Sequence, residues 1–270
     1  MKRFLAIILA GLMLLSLAAC GGKDDDTVKH GVLEGSGVDS MRSDAHREHM
    51  NFPATTNEII NYSNLSAALM DLESGKIISF GGEGCVADYI AARNEKVVAS
   101  KTNDIMTNFS MMTLDTNKEV YDILNNAIKE MKADGTLDSL IENELKAFIE
   151  SDPVAKDLPH FDGVRTIKIG VTGDIPPMDF VAANGKAAGF NIALLTEIAN
   201  RAQVNIELVQ IETGSRPMAL SSGKVDAVFW TKSIFCTVCG AECVEKVEGT
   251  LVTEGYYSDF TALVMLKSDK

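Results

Sequence analysis

Apolar residues at Val120, Ile123, Leu124, Ala127, Ile128 and Met131 recur at spacings of three and four, which places them on one stripe of an α-helix. Gly135 stops that helix, and Thr136 is expected to cap a second one carrying Leu137, Leu140, Ile141, Leu145 and Phe148. On either side of this helical block, short β-branched runs alternate with helical stretches. Before it the pattern predicts a strand at His30–Leu33, helices near Val38–His49 and Leu65–Leu72, and a strand at Ile77–Phe80. A helix near Cys85–Arg93 and extended segments at Lys96–Ser100 and Met106–Leu114 follow. After it come a strand at Thr166–Val171, a turn over Asp174–Met178, a strand near Asp179–Ala182 and a helix over Ile192–Ala202. The series ends with strands at Ile206–Gln210 and Val225–Trp230, separated by a helix that stops at Ser222, and an extended run over Thr261–Leu266. Such alternation in both halves argues for parallel, doubly wound sheets.

Two segments repeat one plan. Leu72-Glu73-Ser74-Gly75-Lys76-Ile77-Ile78 and Leu220-Ser221-Ser222-Gly223-Lys224-Val225-Asp226 each read as a helix end, a Gly-Lys turn and a new apolar strand. Each lies downstream of a strand that runs into a Gly-containing loop, His30 to Gly37 in the first copy and Ile167 to Gly173 in the second. Two α/β units with a ligand cleft between them are therefore expected.

The amino terminus adds a location. Lys2 and Arg3 precede an apolar run from Phe4 to Leu15, and small residues stand directly before Cys20. A basic start, a short apolar core and a small-residue cleavage site make an export signal. The residues before Cys20 resemble a bacterial lipobox, which implies lipidation of that cysteine. The division expected is a signal over 1–19, a tether over 20–28, one lobe (lobe 2) over 29–113, helices packing on the other lobe over 114–150, a linker over 151–164, and the other lobe (lobe 1) with a terminal hinge strand over 165–270. A chain with 46% hydrophobic residues can build real cores, and a formal charge of −13 argues against nucleic acid, which needs a basic footprint.

A family resemblance is carried by Ile169-Gly170-Val171, Asp174 with Pro176-Pro177, Asn184-Gly185-Lys186, Gly189-Phe190-Asn191-Ile192, Ala219-Leu220 through Asp226, Tyr256-Tyr257 and Ala262-Leu263-Val264. Residues 166 to 267 resemble the opening half of an extracellular solute-binding protein of the polar amino acid uptake family. Residues 29 to 149 resemble the closing half, through Gly31 to Gly37, Leu72 to Lys76, Val86-Ala87-Asp88-Tyr89 and Ile128 to Leu137. The resemblance implies an α/β fold of two Rossmann-like lobes with a cleft between them, the periplasmic-binding-protein type 2 plan. It also implies a circular permutation, because the closing half comes first; two truncated halves completing each other between molecules is the rival account.

Candidate ligand contacts follow from the loops at the carboxyl ends of the strands. The Gly35-Ser36-Gly37 loop precedes a helix, so its backbone N–H groups, with Ser36 and Gly37, can hold an anion. Glu83, among glycines, stands where the resembled family commonly holds a ligand ammonium. Asp174, with Met178 or Phe180 beyond the prolines, is expected to form one wall, and Trp230 with Thr231 and Lys232 an aromatic platform with polar neighbours. The family's amino acid binders usually carry an arginine soon after the Thr231 position, but Ser233 to Lys270 contains none, which leaves Lys232 or Arg216 as substitutes. The same stretch holds Cys236, Cys239 and Cys243, which with Cys85 are weak candidates for metal ligands, redox thiols or a short disulfide.

The function expected is that of a lipid-anchored, extracytoplasmic, monomeric binding protein without cofactor, which captures a small polar solute by hinge closure. Its partner, an ATP-driven (ABC) importer's permease, is implied by the resemblance, and the lipid on Cys20 would hold it at the membrane. An enzyme or a sensor module on the same two-lobed fold is the alternative.

Overall fold

The computed structural model describes residues 28–34, 58–151, 154–237, 240, 242–244 and 247–267; the side chains of residues 102–104, 231, 232 and 243 are outside that description. The signal, Cys20 and the tether up to residue 27, Ser36, Gly37, the helix expected near Val38–His49, Pro153 and Cys239 also lie outside the described residues.

Thirteen described strands define the architecture. β1 (Lys29–Leu33), β2 (Glu58–Tyr62) and β3 (Ser79–Glu83) run parallel in lobe 2. β5 (Thr166–Val171), β9 (Asn205–Gln210) and the start of β10 (Ala227–Cys236) run parallel in lobe 1. Two long strands, β4 (Val97–Leu114) and β13 (Tyr257–Leu266), pair antiparallel with each other and join the two units. The sheet order is β2-β1-β3-β13-β4-β10-β5-β9, with β11 (Glu242–Val244) on β10 and β12 (Thr250–Val252) on β4. β6 (Asp174–Ile175), β7 (Asp179–Val181) and β8 (Ala187–Ala188) form a separate small antiparallel sheet beside the cleft.

This mixed α/β, two-lobed arrangement has the strand plan of a type 2 periplasmic-binding fold. It departs from the predicted elements in informative ways. The two separate extended segments are a single strand, β4: the polar run from Lys101 to Asp104 interrupts the apolar pattern, and β13 pairs with β4 on either side of it, its register stepping from Met106 to Lys101. The strand expected at Ile77–Phe80 begins two residues later, at Ser79. The parallel units are not independent sheets, because β4 and β13 fuse them. The register shifts in both pairings of β4, between Phe260 and Ala262 of β13 and between Thr231 and Ser233 of β10. Bulges of this kind bend and twist a sheet locally, here where the lobes meet.

Helices cover the faces. α1 (Leu65–Glu73) and α2 (Gly84–Arg93) belong to lobe 2. α3 (Lys118–Asp134) buries Val120, Leu124, Ala127, Ile128 and Met131 against β4 and against α6 (Phe190–Ala202) of lobe 1. Gly135 ends α3 in the left-handed conformation, at φ 80°. Thr136 is the first residue of α4 (Thr136–Ile141) rather than its cap; Asp134 Oδ1 accepts its N–H at 3.0 Å. A π-helical turn over Glu142–Lys146 leads to α5 (Ala147–Glu150), whose end is gripped from lobe 2 by Arg93, which donates to the carbonyls of Phe148, Ile149 and Ser151 at 3.1, 2.6 and 2.6 Å. The helical block therefore packs on lobe 1 and is also tied to lobe 2. α7 (Arg216–Ser221) follows a 3-10 turn over Thr213–Ser215. One hydrophobic core runs through both lobes, from Leu72 and Phe80 to Ile169 and Phe190, and a smaller cluster of Met112, Ile211, Leu220 and Val228 lies beneath α7.

Candidate functional site

The carboxyl ends of the parallel strands in both lobes converge on one cleft. Lobe 2 contributes Leu33 and Glu34 at the end of β1, Glu83 at the end of β3, and Val86 on α2. The crossing strand β4 contributes Phe109. Lobe 1 supplies Ile175, Met178, Asp179, Asn191, Thr213, Arg216, Phe229, Trp230 and Tyr256.

Asp179 organises the lobe 1 wall. It is buried and accepts four bonds: from Thr172 N at 3.1 Å, Thr172 Oγ1 at 2.7 Å, Gly173 N at 2.7 Å and Asn191 Nδ2 at 2.9 Å. A carboxylate so engaged is a scaffold that fixes the loop after β5 against the start of α6. The chain enters α6 through Gly189 at φ 110°, where a Cβ would stand 2.5 Å from the Met178 carbonyl oxygen, so only glycine fits. Tyr256 donates from its hydroxyl to Asn191 Oδ1 at 3.4 Å and packs edge-on to Phe229. Burial, then the nearby Asp179 charge, pushes its phenol well above the ordinary range, so it stays protonated.

Two donors on this wall are unspent. Trp230 Nε1 is buried and without a hydrogen-bond partner among the described residues. A buried N–H of this kind costs free energy until an acceptor arrives. Arg216 is half-buried at the start of α7; its guanidinium is pushed down by burial and held up by the nearby carboxylates, Asp179 first, then Glu83 and Asp174. It remains a cation, since guanidinium does not deprotonate in proteins.

The residues predicted from sequence distribute as follows. Glu83, Met178, Arg216 and Trp230 line the cleft together. Asp174 sits just outside it, in a second hollow at the mouth lined by Ser63, Asn64, Gln210 and Glu212. Burial raises its carboxyl above the usual range, with the Leu65 backbone N–H pulling the other way. Phe180 is not part of the lining and packs on the Tyr89 ring of lobe 2, centroids 6.3 Å apart. Ser36 and Gly37, and the side chains of Thr231 and Lys232, are among those not described. Cys85 is a free, buried thiol, Cys236 is buried, and no group of three metal-ligating side chains occurs among the described residues. Sequence reasoning missed Glu34, Asp179, Asn191 and Tyr256. The available signal for Asp179 was a lone acid between Met178 and Phe180.

The family model for bacterial extracellular solute-binding proteins, family 3, matches residues 167–235, which run from β5 into β10 of lobe 1. No curated protein matches the chain. Among solved structures, the zinc-bound ligand-binding component of an ABC-type import system from Staphylococcus aureus is similar at 11% identity and TM-score 0.45, over 89% of this chain and 66% of that one. The chain thus spans just under two thirds of that protein. A periplasmic substrate-binding protein of an ABC transporter from Coxiella burnetii is similar at 13% identity and TM-score 0.41, over 89% of this chain and 84% of that one. The LysR family transcriptional regulator CbnR is similar at 8% identity and TM-score 0.49, over 100% of this chain and 76% of that one.

Proposed function

We propose that this chain is an extracytoplasmic solute-binding protein of family 3 type that captures a small polar, amino acid-like solute and delivers it to an ABC importer. The observation that carries this reading is the cleft: it lies at the carboxyl ends of two parallel units joined by β4 and β13, with the unspent donors Arg216 and Trp230 on one wall and the carboxylates Glu34 and Glu83 on the other. In the resembled family's amino acid binders a solute carboxylate is held by an arginine after the Thr231 position; here Arg216, with the Trp230 N–H, takes that part, and Glu83 takes the ammonium. Contacts from both lobes favour the closed state, so ligand and closure stabilise each other. No step of bond breaking is assigned, and the protein is read as a carrier rather than an enzyme. The lipobox-like residues before Cys20 would anchor it to the outer face of the membrane.

We read the gene as circularly permuted, lobe 2 first, a reading supported by the family match falling in the later lobe. The test of function is thermal unfolding of the purified protein against amino acids, amines, small peptides and organic acids, since a ligand that binds only the native state raises the midpoint with concentration. A selective shift, lost in Glu83→Ala and Trp230→Ala, is the expected result; a flat response across the panel rejects the carrier reading.

A further inference from the structure

We infer that Glu34 is a ligand-facing carboxylate that selects solutes carrying a second cationic nitrogen, so that the cleft takes dibasic amino acids in preference to neutral ones. The inference rests on the solute-binding reading and deepens it.

Glu34 is the first residue beyond β1, and its backbone is pinned by donation of its N–H to the Tyr62 carbonyl at 2.9 Å. From there its side chain spans the cleft. Glu34 Oε2 lies 2.9 Å from the point where a Cβ on Gly214 of lobe 1 would stand, so the approach depends on that residue being glycine. Gly214 sits in the turn that opens α7, two residues before Arg216. No hydrogen bond or ion pair engages the Glu34 carboxylate among the described residues, and it lines the same cleft as Glu83 and Asp179. Asp179 is consumed by its four donors. Arg216 is the only cation among the described lining residues.

Closing water out of such a cleft leaves the Glu34 carboxylate without a matching cation among the described residues, an arrangement that costs free energy unless the solute supplies positive charge. An amino acid with its carboxylate on Arg216 and Trp230 Nε1 and its α-ammonium on Glu83 brings one positive charge. A second cationic nitrogen at Glu34 completes the match. The walls between these points are Phe109, Phe229 and Tyr256, which suit a methylene stem and the face-on approach of a cation.

The test is calorimetric titration of wild type, Glu34→Gln and Gly214→Ala with L-lysine, L-ornithine, L-glutamine and L-norleucine. Wild type is expected to bind lysine or ornithine at least about tenfold tighter than glutamine or norleucine. Glu34→Gln, similar in size, is expected to erase that preference while leaving glutamine binding within roughly threefold. Gly214→Ala displaces the Glu34 carboxylate without removing its charge, so it should weaken lysine and ornithine more than glutamine and norleucine. Tighter binding of glutamine than of lysine by wild type, or equal losses for both in Glu34→Gln, overturns the role of Glu34 and leaves the carrier reading intact. Binding of none of the four, together with no response across the wider panel, overturns both.

Discussion

His30 and Met265, from opposite ends of the chain, flank the same residue: in register, His30 on β1 and Met265 on β13 each pair with Ser79 on β3, one from either side. β1 starts and β13 finishes at the same edge of lobe 2. Two strand spacings, about 10 Å, separate them, a gap that a linker of about four residues spans. Joining residue 267 to residue 28 and opening the chain before Val154 restores the order in which lobe 1 comes first. That cut leaves Phe161 bonded through its N–H and carbonyl to the Asn205 amide, at 2.8 and 2.9 Å. The rearranged protein is expected to unfold cooperatively, with a midpoint within a few degrees of the original. A molten, non-cooperative transition in calorimetry would show that the present order is required.

The helix α2 is capped from a distant strand. Asp259 of β13 accepts the backbone N–H of Cys85 at 2.5 Å, and no side chain at the N-cap position, Glu83, does so. The contact ties the crossing strand to the first turn of a lobe 2 helix, where a carboxylate is favoured by the helix dipole. Asp259→Ala should lower stability by about 1–2 kcal/mol, the range for loss of a cap, read as a shift in the urea midpoint with unchanged slope. In the native protein the Cys85 thiol, buried and pushed well up chiefly by that burial, should resist alkylation at neutral pH. It should react once urea unfolds the chain.

Much of the scaffold was legible in sequence because its signals are local. The α3 stripe, the Gly75 and Gly223 turns and the β5-α6-β9 alternation each depend on residues within a few positions of one another. Met178 and Arg216 converge because each lies beside a recognisable strand or helix boundary, and Trp230 because it lies within β10, whose apolar start is legible. Glu34, Asp179, Asn191 and Tyr256 were illegible for a physical reason: their roles are set by partners far away in sequence. Asn191 and Tyr256 meet only because β13 follows β4 into lobe 1, and Glu34 faces Gly214 only after the two lobes are brought together. β2, Glu58–Tyr62, carries a weak pattern with Tyr62 alone buried, and pairing with β1 defines it as a strand.

Stability should depend on pH through two opposing sets of carboxyls. Asp174 and Asp259 are raised above 3.8 by burial, so the native state holds their protons more firmly than the unfolded chain. Their contribution is complete below 3.8 and is lost as pH rises through the folded values. Asp134 is lowered to about 2 by the Thr136 hydroxyl and backbone N–H and by Arg201, and Asp71 is lowered mainly by Lys76 and Tyr62. Their contribution is complete above 3.8 and is lost as pH falls through the folded values. His30, pushed below 6.5 by burial, destabilises as it is forced to charge on acidification, so the comparison between variants is decisive. Asp259→Asn should flatten the unfolding-midpoint curve between neutral pH and about 4, and Asp134→Asn should flatten only the limb below it. Parallel curves for wild type and Asp259→Asn would rule out a raised carboxyl at that position.

Asp179 offers the sharpest separation of scaffold from ligand contact. Its oxygens are the shared acceptor for Thr172, Gly173 and Asn191, so truncation leaves several buried donors unpaired at once. Losing one partner of a buried, charge-assisted network typically costs about 3–5 kcal/mol, and Asp179→Ala should fall in that range by urea unfolding. Asp179→Asn keeps the shape and one acceptor oxygen but turns the other position into a donor facing Asn191 Nδ2. It should therefore lose less stability than the alanine variant. Both changes release the loop after β5 and the start of α6, which carry the Ile175–Met178 wall, so ligand affinity should fall in both even at temperatures where the protein is fully folded. Trp230→Phe, by contrast, removes one unspent N–H and leaves the network untouched. Its stability should match or slightly exceed wild type, because a buried donor without a partner is gone, while affinity for a carboxylate-bearing solute drops by roughly tenfold. Measuring unfolding and titration on all three variants distinguishes the residues that build the cleft from those that touch its solute, and a loss of stability in Trp230→Phe equal to that in Asp179→Ala would overturn the assignment of Trp230 as a free donor.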